Sequence, residues 1–307
     1  AVPVTKYAVM ITRAEDIRYE LEKCIYITQE GRPGPVLLDI PLDIQKTDID
    51  PDKLHGFDPD RATLKYNLDE VDAQIDQIIK DFSKAKRPAI MVGMGVRIAD
   101  AADELRELGE LLNVPVYPTW NALDVVTSDY KQYGGRIGTY GGAGRNFGIQ
   151  NSDLLLAIGS RISGRITGGN IHSFAREAKK IVVDVDPSLL QRKLQQVPFD
   201  TNILCDAKIF LNRMLKRLKE ENVKNKIPNF SLWTEKCMGW KNKYDPVKKE
   251  FFDQEKDVHP YAFMRILSEE MASDAILVGD CGGNIVVSNH AFETKYGQRN
   301  LTNNGNS

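Results

Sequence analysis

Apolar and polar positions alternate along the chain in blocks that predict helices and buried strands in turn. Apolar residues recur at helical spacing over 12–30, 68–82, 99–112, 207–221 and 260–271. Continuous apolar runs of strand length separate these segments: VLLDIP, RPAIMVGMG, VPVYPTW, DLLLAIGSR, KKIVVDVDP and AILVGDCGGN. Such runs are typical of strands buried on both faces, and their alternation with helices predicts a parallel sheet. We therefore expect an α/β protein whose central part is a doubly wound parallel sheet.

The first predicted helix, 12–30, has a capping-box pattern at its start. Thr12 and Glu15 form T-x-x-E, in which each side chain bonds the backbone amide of the other residue. GRPGP then ends the helix, and VLLDIP follows as a short buried strand. We expect these residues to be the closing part of an α/β unit whose beginning is absent.

Polar segments divide the chain into three parts. Residues 47–66 are rich in Asp, Lys and Pro, residues 222–229 are rich in Lys and Asn, and both predict linkers. The parts are then 1–46, 67–221 and 230–307, and the middle part alone has a full set of strands and helices. The chain opens without a methionine and stops at RNLTNNGNS, so we expect both ends to be cuts through a longer protein.

The charges nearly balance, since 41 Lys and Arg residues accompany 43 Asp and Glu residues. This balance argues against binding to nucleic acid or to a membrane surface, and cysteine usage without a disulfide framework favours a cytoplasmic protein. The four cysteines have no CxxC spacing and the four histidines are scattered. We expect reduced thiols and no metal site among these residues.

Glycine is concentrated in Tyr133–Gly169, which holds eleven of the 23 glycines. Ligands of open parallel sheets bind beyond the carboxyl ends of the strands, where glycine lets backbone amides approach phosphate. Four turns fit this pattern: VGMGVR, GRIGTYGG, GSRISGR and VDVDP. Arginine would add bidentate phosphate donors, and a carboxylate at a strand end would accept from ribose hydroxyls. Tight turns and helix caps are the competing explanations for the same residues, and VGDCGGN is a second candidate phosphate turn.

These residues also resemble a known family. EGRPGPVLLDIPLDIQ, the segment GTYGGAGRNFGIQNSDLLLAIGSRISGRITG, IVVDVDP and AILVGDCGGN resemble, in order and spacing, the thiamine-diphosphate-dependent acetolactate synthase family. The resemblance implies a Rossmann-like central domain of the DHS-like NAD/FAD-binding type, flanked by partial thiamine-diphosphate-binding α/β domains. Residues 1–46 would end the pyrimidine-binding domain, 67–221 would be the central domain, and 230–307 would begin the diphosphate-binding domain.

The resemblance also implies binding residues. Those expected to line an FAD in the central domain are Gly93, Gly95, Thr119, Gly138, Gly141, Gly159, Arg161, Arg165, Asp184 and Asp186. Those expected at the cofactor diphosphate are Gly282, Gly283, Asn284, Asn304 and Gly305. The cofactor-activating glutamate and the Mg²⁺-binding segment would lie outside the chain, and no catalytic residue is assigned. Trp120 departs from the family pattern and is expected to fill part of the flavin groove.

The activity implied by the resemblance is decarboxylation of a 2-oxo acid such as pyruvate and transfer of the two-carbon unit to an acceptor. The implied cofactors are thiamine diphosphate and Mg²⁺, with FAD as a candidate, and the implied assembly is a homodimer or homotetramer. Residues 1–307 alone are expected to be inactive. The alternatives are a nucleotide-binding module for FAD, ADP or CoA, or glycine loops that only pack one domain against another.

Overall fold

Five parallel strands form the central sheet, in the larger of two units into which contacts divide the chain, Ala1–Asn67 and Leu68–Ser307. The computed structural model describes residues 1–61, 66–190, 197–253 and 256–302. Among them, none of the helices has the length and apolar character needed to cross a bilayer.

The smaller unit is built on a pair of parallel strands, β1 (Tyr7–Met10) and β2 (Val36–Asp39), with Tyr7 opposite Val36. Helices α1 (Ile17–Gln29) and α2 (Leu42–Gln45) belong to the same unit. The predicted strand at 36 is present, but its residues alternate between half-buried and exposed. The sequence analysis missed β1, which is too short for its alternation to be distinctive.

The predicted capping box is wrong. A 3₁₀ turn, Ala14–Asp16, precedes α1, and Arg13 before it is extended. Neither the 3₁₀ turn nor α1 has a side-chain cap. The helix therefore begins five residues after Thr12, too late for a Thr12–Glu15 exchange of hydrogen bonds.

The strands of the larger unit are β3 (Pro88–Val92), β4 (Val116–Pro118), β5 (Leu154–Ile158), β6 (Lys179–Asp184) and β7 (Thr201–Leu204). Their order is β4-β3-β5-β6-β7, and every neighbouring pair is parallel. All residues of β3 and β5 are buried, which explains their continuous apolar runs. The predicted doubly wound α/β sheet is confirmed.

Helices cover both faces of this sheet. On one face α3, α5 and α9 pack together, and on the other Ile149 of α6 joins the core formed by Ala89, Tyr117 and Leu155. The helices are α3 (Leu68–Phe82), α4 (Met94–Ile98), α5 (Ala102–Leu112), α6 (Ala143–Gln150), α7 (Gly164–Thr167), α8 (Pro187–Leu190), α9 (Ala207–Leu218) and α10 (Glu221–Lys224). The helix predicted over 99–112 is present as α5, which begins at Ala102. The short helix α4 precedes it, and Asp100 between the two has a left-handed backbone conformation.

The last part of the chain packs against the central sheet. It contains α11 (Ser231–Lys243), α12 (Pro260–Glu270), β8 (Ile276–Gly279), α13 (Gly283–Ala291) and β9 (Arg299–Thr302), with β8 parallel to β9. Helix α11 packs on α6, and the Trp233 indole donates to the Pro88 carbonyl at 2.9 Å. Asp124 accepts from Arg299 of β9 at 2.7 Å. These contacts fix the 230–302 segment to the central sheet.

Candidate functional site

The strand order places two glycine turns at the point where the chain changes direction across the sheet. From β3 the chain crosses to β4 on one side and then to β5 on the other, so the loops leaving β3 and β5 flank this switch point. Gly93 and Gly95 follow β3, and Gly159 follows β5. The structure thus brings these three predicted residues together.

The backbone amides of these glycines already have acceptors within the protein. Gly93 N–H donates to the Ile158 carbonyl at 2.9 Å, Gly95 N–H to the Gly159 carbonyl at 3.0 Å, and Gly159 N–H to the Val183 carbonyl at 2.9 Å. None of the three is left to donate to a phosphate in this arrangement.

In the glycine turn at 138–141, the backbone amides of both predicted glycines also have acceptors within the protein. Gly138 N–H donates to Asn146 Oδ1 at 3.0 Å, and Gly141 N–H donates to the Gly138 carbonyl at 2.9 Å. A Cβ on Gly138 would lie 2.6 Å from the Arg165 carbonyl oxygen. The idea that these amides meet a phosphate therefore has no support in the geometry of the turn, and close packing of main chain on main chain explains the glycines.

The predicted polar residues lie at the same carboxyl edge of the sheet. Arg161 and Arg165 are exposed, and the Arg165 carbonyl accepts from Thr139 N at 2.8 Å. Thr119 is nearly buried, and its amide donates to the Val92 carbonyl at 2.9 Å. Both arginines therefore lie at the surface of this edge, whereas the main chain is engaged.

Asp184 and Asp186 stabilise a turn, as the helix-cap explanation proposed. Asp184 Oδ1 accepts from Asp186 N at 3.0 Å. Asp186 Oδ1 accepts from Ser188 N at 2.9 Å and from Ser188 Oγ at 2.6 Å, at the start of α8. Both carboxylates therefore have a structural role that needs no ribose.

Trp120 is buried beside the Gly138 turn. Its side chain is 5% exposed and its ring lies 5.3 Å from that of Tyr140. The indole Nε1 is 3.3 Å from the position of a Gly138 Cβ and has no hydrogen-bond partner among the described residues. The indole thus occupies the space beside the Gly138 turn.

A cavity of 220 Å³ lies behind this turn, between it, helix α6 and the segment 166–168. Its polar side chains are engaged: Asn146 bonds both the amide and the carbonyl of Gly138, and Gln150 accepts from Ala175 N at 2.9 Å. The cavity shows no built set of donors for a phosphate.

The turn between β8 and α13 is different. Gly282, Gly283 and Asn284 are exposed, and their amides donate to no acceptor among the described residues. No heavy atom lies within 4 Å of a Cβ built on Gly282 or Gly283, and Gly282 has a φ of 94°. Free amides at the start of a nine-residue helix are suited to bind phosphate. The predicted residues Asn304 and Gly305 lie outside the described residues.

Two buried arginines lie at the opposite end of α13, and the sequence analysis missed both. Arg136 is 1% exposed and donates to the carbonyls of Ser288 and Asn289 at 2.8 and 2.6 Å, and to that of Phe292. Arg145 is 3% exposed and donates to the His290 carbonyl at 3.2 Å. Their place inside the glycine-rich segment was the one signal in the sequence, whereas the predicted arginines, Arg161 and Arg165, follow the end of a strand.

Metal-binding chemistry is limited in the described part of the chain. Across residues 1–61, 66–190, 197–253 and 256–302, no three His, Cys, Asp or Glu side chains are grouped so that they could hold a metal ion. The four cysteines are separate thiols, three of them buried.

Comparisons with known proteins supply a family for this architecture. The family described as "Thiamine pyrophosphate enzyme, central domain" matches residues 75–214, which include the whole five-stranded sheet. A probable acetolactate synthase large subunit of Methanococcus aeolicus is 33% identical over 308 residues, covering 95% of this chain and 50% of the relative.

Two further relatives extend this result. The acetolactate synthase large subunit of Corynebacterium glutamicum is 34% identical, covering 91% of this chain and 43% of the relative. A glyoxylate carboligase of Escherichia coli O157:H7 is 30% identical, covering 82% of this chain and 41% of the relative. The chain spans about half the length of the curated relatives it matches.

Proposed function

The chain belongs to the thiamine pyrophosphate enzyme family, and we propose that the whole protein decarboxylates a 2-oxo acid such as pyruvate and joins the two-carbon unit to an acceptor. Relatives named acetolactate synthase and glyoxylate carboligase support carbon–carbon chemistry of this kind. Because the chain spans about half the length of such relatives, residues 1–307 are assigned only part of the site.

The observation that carries this proposal is the open turn from Gly282 to Asn284. Its unpaired amides stand at the N-terminus of α13, where the helix dipole favours negative charge. We assign these amides to the diphosphate of thiamine diphosphate. The residues 230–307 then contribute to the diphosphate half of the cofactor site.

When bound, thiamine diphosphate supplies the carbon nucleophile and the electron sink for decarboxylation. The part of this chain is to bind the diphosphate and so to fix the position of the reactive ring. We assign the Mg²⁺ ligands and the cofactor-activating glutamate to parts of the whole protein other than residues 1–307, as the family resemblance implies.

Substitution of Gly283 tests this assignment. Proline is tolerated at the first position of a helix and has no N–H, so Gly283→Pro removes one phosphate donor while keeping the helix start. Gly283→Ala keeps the donor and meets no atom within 4 Å. Inorganic pyrophosphate is a suitable probe, because it needs only the phosphate turn.

We expect isothermal titration calorimetry to show pyrophosphate binding by the wild-type chain and by Gly283→Ala. Gly283→Pro should bind about tenfold more weakly, since a charge-assisted hydrogen bond is worth about 1.5–3 kcal/mol. Equal affinities for the proline and alanine variants, or no binding by the wild-type chain, would remove the proposed phosphate site.

FAD in the central domain is a separate hypothesis. The exposed Arg161 and Arg165 support it, whereas the engaged glycine amides and the buried Trp120 do not fit the predicted flavin phosphate contacts. No step of the proposed reaction depends on FAD. The visible absorption spectrum of the purified protein tests it, because bound oxidised flavin is yellow.

We further propose a cytoplasmic homodimer or homotetramer for the whole protein. The support is the family resemblance together with a nearly balanced composition, which has no basic excess for nucleic acid or a membrane surface. Light scattering on the whole protein would measure the assembly, and a monomer would contradict this part of the proposal.

A further inference from the structure

Two buried arginines of the glycine-rich segment, Arg136 and Arg145, contact the C-terminus of α13, whose N-terminus forms the open turn. We propose that Arg136 and Arg145 are positioning residues for phosphate binding: they fix α13 by its C-terminal carbonyls and supply positive charge along its axis. This inference rests on the phosphate role proposed for Gly282–Asn284.

The contacts of Arg136 define one half of this arrangement. Its Nη1 donates to the carbonyls of Ser288 and Asn289, and its Nη2 donates to the carbonyl of Phe292, with Thr294 Oγ1 at 3.4 Å. One guanidinium therefore binds carbonyls from the last turn of α13 and from the residue that follows it. A cation at this end also offsets the negative pole of the helix dipole.

Arg145 supplies the other half from α6. Its Nη1 lies 3.5 Å from the Asn289 carbonyl and its Nη2 lies 3.2 Å from the His290 carbonyl. Gly135 makes room for this side chain, because a Cβ there would lie 2.6 Å from Arg145 Cγ, and its φ is 92°. Part of the glycine content of the segment therefore serves the approach of an arginine to α13.

Burying both guanidinium groups is unfavourable, which argues for a purpose beyond packing. The Nε atoms of Arg136 and Arg145 have no hydrogen-bond partner among the described residues. Burial lowers the pKa of Arg145 and the charge of Arg136 lowers it as well, against the charges of Glu293 and Asp245, which raise it. Both guanidinium groups donate to carbonyls and interact with the charge of Glu293, and burying them costs desolvation that a pair of apolar residues would not.

Helix α13 connects the two buried arginines to the proposed phosphate turn, because they lie at its opposite ends. Helix α13 has nine residues, so its ends are roughly 13 Å apart at 1.5 Å per residue. The arginines leave the helix with a compensated negative end and an open positive end. A dianionic group at Gly282–Asn284 would then meet the open positive end of α13.

The test uses the 307-residue chain with Arg136→Met, Arg136→Lys and the control Arg87→Met. Arg87 also donates to a backbone carbonyl, that of Asn151 at 2.7 Å, but it lies beside the amino end of β3. Hydrogen exchange reports the protection of α13 amides relative to β3 amides, and calorimetry reports inorganic pyrophosphate binding.

We expect Arg136→Met to raise exchange in α13 with β3 unchanged and to weaken pyrophosphate binding about tenfold. Arg136→Lys, which keeps the charge but loses the planar fork, should be intermediate, and Arg87→Met should match the wild type. If Arg136→Met does not fold, Arg136→Lys decides by the same two measurements.

A folded Arg136 variant with unchanged α13 exchange and unchanged pyrophosphate affinity would overturn the inference while leaving the phosphate site in place. Absence of pyrophosphate binding by the wild-type chain would instead overturn the proposed site, and this inference with it.

Discussion

At the scale of single residues, the glycines of this chain fall into two groups with different physical reasons. Gly93, Gly95 and Gly159 stand where two main chains touch, so that any side chain would collide with backbone. Gly282 and Gly283 face open space. A glycine-rich sequence therefore does not by itself separate a packed turn from a ligand turn.

This distinction predicts a large loss of stability for one alanine substitution after β5 and almost no change for another. Gly159→Ala would place a Cβ 2.7 Å from Gly95 Cα at a φ of 60°, so it should destabilise the protein by about 2–4 kcal/mol. Gly164→Ala meets nothing within 4 Å and should change stability by less than about 0.5 kcal/mol. Urea unfolding followed by circular dichroism measures both, and equal stabilities would contradict the packing explanation.

At the scale of elements, α13 connects the candidate site to the rest of the larger unit. His290 near its C-terminus bonds Tyr261 Oη through Nδ1 at 2.8 Å, and its Nε2 has no hydrogen-bond partner among the described residues. Burial lowers the pKa of His290, and the charges of Arg145 and Arg136 lower it as well, whereas the interaction with the Tyr140 backbone raises it. The folded structure therefore favours the neutral form of the imidazole.

The pH dependence of stability follows from this shift. The pKa of His290 in the folded protein lies below its ordinary value near 6.5, so on acidification the unfolded chain takes up the proton first. The stability that the neutral imidazole contributes is therefore fully present above about pH 6.5 and is lost as the pH falls. We expect His290→Gln to have a flatter loss of melting temperature between about pH 7 and about pH 5.5. Parallel slopes for the variant and the wild type would show that other groups dominate.

The elements that could be predicted from the sequence are those whose burial is uniform. Strands β3 and β5 lie in the middle of the sheet with every residue buried, so their apolar runs are unbroken. Strand β7 is at the sheet edge and reads TNIL, and β1 is half-exposed, so neither has a clear period. Helix α11 packs on α6 through the Trp240 ring, whose centroid lies 5.8 Å from that of Phe147.

The part of the candidate site that could be predicted from the sequence is the turn between β8 and α13, which neighbouring residues define. The strand–glycine–helix order of β8 and α13 is visible in the sequence, and it marks Gly282–Asn284 correctly as a turn at a helix start. The use of Arg136 and Arg145 was not visible, since their partners lie about 150 residues away. Long-range pairing of this kind depends on how the elements pack, which a single sequence does not encode locally.

At the scale of the whole molecule, the coverage of the relatives sets the expected activity. Residues 1–307 match about half of each relative's length, and thiamine diphosphate chemistry needs both halves of its site. We expect no acetolactate from these residues with pyruvate, thiamine diphosphate and Mg²⁺, as measured by colorimetric acetoin formation. Turnover by the 307 residues would contradict the assignment of essential groups to the rest of the protein.

The ring of Tyr117, on β4, lies fully buried between two glycines of the segment that follows. A Cβ on Gly134 or on Gly148 would collide with this ring. Tyr117, Gly134 and Gly148 thus fill one fixed volume, so a larger side chain at one of these positions needs a smaller one at another. Where a related protein has a larger residue at either glycine, a smaller side chain should replace the tyrosine.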